Sequence, residues 1–458
     1  MKNEQASRRY RWRRLPGRFA IPGQAGLALL LSLALATTCL AAPADSESPL
    51  GLADSAALRA MVFGPDPENL APLPETVPTR EMNIAIEGGL PVPDVFWFNR
   101  KLRVHFSEQP GPAPLAILIA GTGGNADSQK LRLLRRALYA AGHHVLTLPS
   151  PTFPGFIVAA SSTGVAGDLY QDGLDLHRVA TQLVGQLRGR KGDRFTEINV
   201  IGYSLGGANA AMLKAIDGEA GTLGIRRAVA INPPVSLFST IGRLDHLLEL
   251  SVGDNEQGFD RLYHDIYTQL SSLYAVSDAM HIDQDFLLGA AASVLDSDRR
   301  LAAGISLSFR MSLINLFFAG DIYTGAGVAT DPQHPPRRGD SLEEAMRVLR
   351  HQSFSAYFER VFAPFYLARR PGATRESLIA DNHLEIIGDL LRSDPDYYAQ
   401  TNADELILDR EDLDWLRRTF GPRLVVYDHG GHLGNLGEKQ QIQDLLDMVS
   451  GRYARSAP

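Results

Sequence analysis

One cysteine stands in 458 residues, Cys39, and it falls near the N-terminus. The rest of the chain has no thiol, which excludes disulfides, thiolate metal sites and a cysteine nucleophile in the body of the protein. Any nucleophile is therefore an oxygen or an amine. Basic charge is also scarce once residues 1–44 are set aside. Those residues carry seven Lys and Arg against one acid, Glu4, so 38 basic and 51 acidic residues remain, a net charge of −13. No polybasic patch follows residue 44, which argues against nucleic acid as a partner, because phosphate binding needs a basic face. There is no internal repeat, no P-loop and no H-E-x-x-H. His429 and His432 form an H-x-x-H with no second ligand cluster at metal spacing, so neither a metal nor a cofactor is expected.

What is present is material for a large core. The chain is 45% apolar, 8% aromatic and 21% charged. These proportions argue against disordered, collagen-like and coiled-coil classes, and the length fits one large α/β domain with an insertion or two modest domains.

Residues 1–44 have the three parts of an export signal: a basic stretch ending near Arg18, an apolar run from Ala25 to about Ala36, and small residues at Ala41, Ala42 and Ala44. Cleavage near Ala42 or Ala44 is expected, giving a periplasmic or secreted protein. The alternative is a retained leader that associates the chain with a membrane. Cys39 raises lipidation, but Thr38 before it is not the small Gly or Ala that such sites usually carry. Residues 45–80 read as a linker with one short helix near Ala56–Phe63.

The folded part is expected from residue 81. Val95–Phe98 and Leu102–Phe106 look like two antiparallel strands. Short apolar runs then alternate with helical stretches: strands at Leu115–Ala120, Val145–Leu148, Ile198–Gly202 and Ala228–Ile231, and helices over Ser128–Ala141, Tyr170–Leu187 and Leu205–Ile216. This alternation predicts an α/β fold with a mostly parallel sheet covered on both faces. From 235 to 394 the strand signal gives way to helical runs, read as an inserted helical cap. Ile305–Phe318 is apolar apart from Arg310, and Phe354, Phe358, Phe362 and Phe365 form a stripe at helical spacing, either packing on the body or lining an apolar groove. Strand and helix alternation resumes over 395–458 with strands at Tyr397–Thr401 and Leu424–Tyr427.

The chemistry enters at Gly202-Tyr203-Ser204-Leu205-Gly206, a G-x-S-x-G entered from an apolar strand and left through an Ala-rich helix. That context holds a serine exposed on a sharp turn. A serine hydroxyl needs a base to take its proton and a carboxylate to orient the base. Among the histidines, His432 in Gly430-Gly431-His432-Leu433-Gly434 follows the last strand on a flexible loop; His429 competes on the same loop. Asp404 follows the strand Tyr397–Thr401 and lies upstream of His432, with Glu405 and Asp409 close enough to compete. The order Ser, acid, His suits such a sheet. Oxyanion donors are expected from the backbone amides of Leu205 and Thr122, the latter in the loop Gly121-Thr122-Gly123-Gly124-Asn125. That loop also spells a degenerate dinucleotide fingerprint, but no acid ends the following strand to hold a ribose.

On these residues the chain resembles the α/β-hydrolase family. Gly202–Gly206 stands as its nucleophile elbow, Ala120-Gly121-Thr122 as its oxyanion loop, with Ala120 where many members carry His, and Gly431-His432 as its terminal histidine turn. The resemblance covers about residues 95–234 and 395–450. It implies Ser204 as nucleophile, His432 as general base, Asp404 as orienting acid, and a lid where the 235–394 insert falls. The expected function is hydrolysis of a carboxylic ester, small or lipid-like, through an acyl-enzyme. Acyl transfer, amide cleavage and thioester cleavage use the same triad, and a non-catalytic envelope binding or scaffold protein would keep the same fold.

Overall fold

Eight strands build one sheet: β1 (Arg80–Ile84), β2 (Leu102–Ser107), β3 (Ala113–Ile119), β4 (His144–Leu148), β5 (Phe195–Tyr203), β6 (Ile225–Ile231), β7 (Tyr397–Asn402) and β8 (Leu424–Tyr427). Their spatial order is β1-β2-β4-β3-β5-β6-β7-β8. β2 runs antiparallel to both β1 and β4, and every pairing from β4 across to β8 is parallel. The computed structural model describes residues 55–192, 194–252, 258, 260, 261, 264 and 297–453. The leader of residues 1–44 with Cys39, and most of 253–296, lie outside the described residues.

Period-two alternation explains why the centre of the sheet is buried on both sides. In β3, Leu115, Ile117 and Ile119 join the core on one face, while Ala116 and Leu118 join the core on the other. Leu176, Val179 and Leu183 of the Leu169–Lys191 helix, with Ala208 and Met212 of Leu205–Ala220, pack in the first core. Leu131, Leu134 and Leu138 of Gln129–Ala140, with Ile442, Leu445 and Val449 of Lys439–Ser450, pack in the second. The expected α/β architecture with a mostly parallel, doubly covered sheet is the one observed.

Two local expectations differ. Val95–Phe98 is not a strand: Asp94–Phe96 forms a single 3-10 turn after Pro93. A proline cannot donate to a strand ladder, and the Phe96 ring packs on Phe318 and Tyr323, at centroid distances of 5.6 and 6.2 Å, instead of facing a neighbouring strand. The partner of β2 is β1, with Met82 opposite Val104. The short helix expected near Ala56–Phe63 is present, but from Ser55 onward the stretch is packed on the body and not a linker. Ser55–Phe63 is a helix whose Ala57 and Leu58 are fully buried, and Ala71 donates its amide to the Gly437 carbonyl at 2.9 Å.

Among the described residues no strand lies between β6 and β7. The main helices there are Leu237–Val252 and Asp298–Thr324, followed by a run from Phe354 to Leu367 that carries a π-helical turn over Phe358–Phe362. Asp298–Thr324 is long and apolar enough to cross a membrane, but most of it is buried inside the protein. Arg310, the one charge in its apolar stretch, meets Asp245 at 3.1 Å.

The β2–β4 edge carries three buried histidines, His105, His143 and His144, each with one ring nitrogen lacking a partner among the described residues. Burial holds the pKa of all three below the ordinary imidazole value. A folded pKa below the unfolded one means that acid favours the unfolded chain. Stability is therefore full above the unfolded value of 6.5 and falls as pH drops below it, by up to about 1.4 kcal/mol per pH unit for each histidine while it titrates. His144→Gln, which can still accept the 3.0 Å hydrogen bond from the Gln109 amide, is expected to make the fall in Tm between pH 7 and pH 5 shallower, as read by calorimetry.

Candidate active site

The strand β5 runs into Ser204, and the helix Leu205–Ala220 leaves it. Ser204 takes φ 55° and ψ −132°, a backbone conformation costly for any residue but glycine, and it is held there by its amide bonding the Ile231 carbonyl at 2.8 Å. The glycines on either side are required by space. A Cβ at Gly202 would run into the Gly206 carbonyl, and one at Gly206 into the carbonyls of Ile119 and Ala120. The sharp turn expected from G-x-S-x-G is therefore present, with the serine at the end of the sheet.

His432 reaches that serine from the loop after β8. Its Nε2 lies 2.9 Å from Ser204 Oγ. The loop turns through three left-handed residues, Gly430 (φ 137°), Gly431 (φ 54°) and Leu433 (φ 68°). His432 is buried, because the Ser55–Phe63 helix lies directly on the loop: a side chain at Gly431 would come within 2.8 Å of the Ala57 carbonyl oxygen, and one at Gly434 would meet Ala60. Small residues on the helix and glycines on the loop allow this backbone contact. His429 is exposed.

The carboxylate against His432 is Glu405, not Asp404. Glu405 Oε1 lies 2.9 Å from His432 Nδ1, and both side chains are almost fully buried. Asp404 turns the other way and accepts the amides of Gly430 at 3.1 Å and Gly431 at 2.8 Å. Burial raises the Asp404 carboxyl above the usual range, and the two amides oppose the shift. Asp409 caps the Arg410–Phe420 helix by accepting the Asp412 amide. Adjacent residues leaving a strand point to different sides, so one position along the chain decides which acid meets the imidazole. Sequence spacing does not resolve that choice.

Leu205 is the first residue of its helix, so its N–H has no acceptor within that helix. Thr122 lines the same cavity as Ser204 and Leu205. Its loop is pressed onto the elbow, since a Cβ at Gly121 would lie 3.0 Å from Ser204 Cβ. The helix Asp298–Thr324 crosses above. Its Phe309 ring sits 6.3 Å from that of His432, and its Ser312 abuts Gly123.

The cavity over Ser204 is walled largely by the cap. Leu237, Phe238, Ile241 and Leu244 come from one helix, Phe309 and Leu316 from the next, and Phe354, Tyr357, Phe358 and Phe362 from the π-turn segment. Of the aromatic stripe, Phe354, Phe358 and Phe362 face the cavity, and all four phenylalanines are buried. Its polar lining is sparse, including the hydroxyls of Thr122, Thr152, Thr240 and Ser204 and the amide of Asn382.

The serine on a strand-to-helix turn, the acid loop after β7 and the histidine loop after β8 now stand in chain order at one end of a parallel sheet. The fold is that of the α/β-hydrolases. Among solved structures the chain is similar to an esterase of Pyrococcus furiosus, 11% identical, with 82% of this chain and 93% of that chain covered and a TM-score of 0.37. It is also similar to a hyperthermophilic esterase of the archaeon Pyrobaculum calidifontis, 14% identical, with 86% and 85% covered and a TM-score of 0.36. No protein-family profile matches the chain, and neither does any curated protein.

Sequence reasoning missed Asn232. It follows β6 with a left-handed φ of 46° and donates its Nδ2 to Glu405 Oε2 at 2.6 Å. The only sequence signal is an asparagine, a residue that tolerates left-handed backbone, at a strand end.

Proposed function

We propose that the chain is an exported serine hydrolase that cleaves an uncharged carboxylic ester bearing an apolar acyl group. The observation that carries the reading is the unbroken hydrogen-bonded chain from Ser204 Oγ to His432 Nε2 and from His432 Nδ1 to Glu405 Oε1, at the floor of an apolar cavity. In this reading the Ser204 oxygen attacks the ester carbonyl carbon while His432 Nε2 takes the hydroxyl proton. Glu405 holds Nδ1 protonated and stabilises the imidazolium that forms. The amides of Leu205 and Thr122 face the developing oxyanion. The C–O bond to the alcohol then breaks, and the alcohol leaves with the proton from His432. Water, deprotonated by the same imidazole, releases the acid and regenerates Ser204.

The apolar cap wall favours a hydrocarbon acyl group over a charged one, because a charge buried there would have no partner. Export rests on the basic, apolar and small-residue parts of residues 1–44.

A fluorophosphonate probe tests the class of reaction directly. The mature protein is expected to be labelled stoichiometrically, Ser204→Ala to lose all labelling while keeping its thermal melt, and the labelled protein to lose turnover of uncharged esters. A folded wild-type chain that takes no label would favour the binding-protein alternative.

A further inference from the structure

Asn232 is 1% exposed and stands where the chain leaves β6 for the cap. Its backbone amide donates to the Gln400 carbonyl of β7 at 2.7 Å, which fixes the left-handed turn. The turn delivers the side-chain amide to the buried carboxylate of Glu405. There Oε2 accepts from Asn232 Nδ2 at 2.6 Å, while Oε1 faces His432 Nδ1 at 2.9 Å and accepts the Ile407 amide at 3.2 Å. A carboxylate oxygen accepts and never donates when ionised, so the amide nitrogen must be the end that faces it. Asn232 Oδ1 has no partner among the described residues, so the contribution of this side chain is its donor.

We propose that Asn232 is a positioning residue of the site, whose N–H holds the Glu405 carboxylate in the rotamer that presents Oε1 to His432. The inference rests on the reading of Ser204, His432 and Glu405 as a triad. A buried carboxylate with one free oxygen could rotate about its terminal torsion, which is soft. Asn232 closes that route by holding Oε2. The other charged groups around Glu405 do not replace it. Asp404 is turned to the Gly430 and Gly431 amides, and Arg243, on the Leu237–Val252 helix, gives its Nε to the Leu406 carbonyl at 3.3 Å.

Two substitutions separate the donor from the backbone it sits on, because glycine and aspartate both tolerate a left-handed φ. Asn232→Gly keeps the turn and removes the amide. Its kcat on a soluble ester is expected to fall about ten- to a hundredfold, the loss of one hydrogen bond to a charged group, with KM within about twofold of wild type. Asn232→Asp places a carboxyl beside Glu405. While protonated it donates in place of the amide. Once ionised it repels a like charge at hydrogen-bonding distance. This variant is therefore expected to approach wild-type kcat at the acid end of the profile and to lose activity as pH rises, through an alkaline limb that wild type lacks. Wild-type kcat in Asn232→Gly, a loss confined to KM, or an unchanged pH profile in Asn232→Asp overturns the proposal; if the glycine variant does not fold, the pH profile of the aspartate variant decides. Fluorophosphonate labelling separates the two levels. A wild-type chain whose Ser204 takes no label overturns the triad reading and this inference together, whereas labelled protein with unaffected Asn232 variants overturns the role of Asn232 alone.

Discussion

Glu405→Gln is expected to lower kcat on an ester substrate by about 10⁴-fold with little change in KM, whereas Asp404→Asn lowers it less than about tenfold. The two carboxylates are neighbours in sequence, yet their surroundings assign them different work. Glu405 faces the imidazole from its buried pocket, and a glutamine there would present either a carbonyl oxygen without negative charge or an N–H where Nδ1–H needs an acceptor. In the second case the histidine is driven to the tautomer that cannot accept the serine proton. Asp404 instead clamps the histidine loop by its two glycine amides. An asparagine oxygen still accepts from one of them, so the loop loses about one hydrogen bond, roughly 1 kcal/mol, rather than its base. Steady-state kinetics with thermal melts on both variants gives the comparison. The reverse ranking would make Asp404 the acid and would require the loop to rearrange in solution.

The sheet was legible because its signals are local. β3, β5 and β6 announce themselves as apolar runs bounded by turn residues, and the elbow follows from glycines whose side chains would collide with backbone. The places where reading failed need information from across the fold. Val95 and Phe96 have strand-like side chains, but the cap helix supplies rings for Phe96 that no local pattern reveals. The Ser55–Phe63 helix looks like part of a linker because the partners that bury it, the Asp298–Thr324 helix and the loop of Gly431 and Gly434, lie hundreds of residues away in sequence. Asp404 and Glu405 differ by one position, and the direction each points is fixed by the turn after β7. Asn232 carries no catalytic chemistry of its own and acquires meaning only once Glu405 is placed.

The other large expected effect concerns Arg310, which the sequence marks as a lone charge in an apolar run. Asp245 on the Leu237–Val252 helix takes Arg310 Nη2 at 3.1 Å and the Phe354 amide at 3.0 Å on Oδ1, and the amide and hydroxyl of Ser355, each at 2.9 Å, on Oδ2. One buried carboxylate thus ties together the three cap segments that wall the cavity. Burial pulls the Arg310 guanidinium below its usual pKa, and Asp245 opposes that shift. Asp245→Ala removes the partner and leaves a buried cation with two unsatisfied amides, so unfolding stability is expected to fall by about 3–5 kcal/mol. The double variant Asp245→Leu with Arg310→Leu removes the charge as well and is expected to recover the part of that loss owed to the unpaired cation, while the amides of Phe354 and Ser355 stay without their acceptor. Denaturant titration of Asp245→Leu, Arg310→Leu and the double variant measures the coupling. Because Phe309, Leu316 and Phe354 are held in register through this carboxylate, ester turnover should follow cap order. The Asp245→Ala variant is expected to lose activity below its unfolding midpoint, as the cavity wall loosens before the sheet does, and equal loss of activity and sheet signal would mean that the cap and the sheet unfold as one cooperative unit.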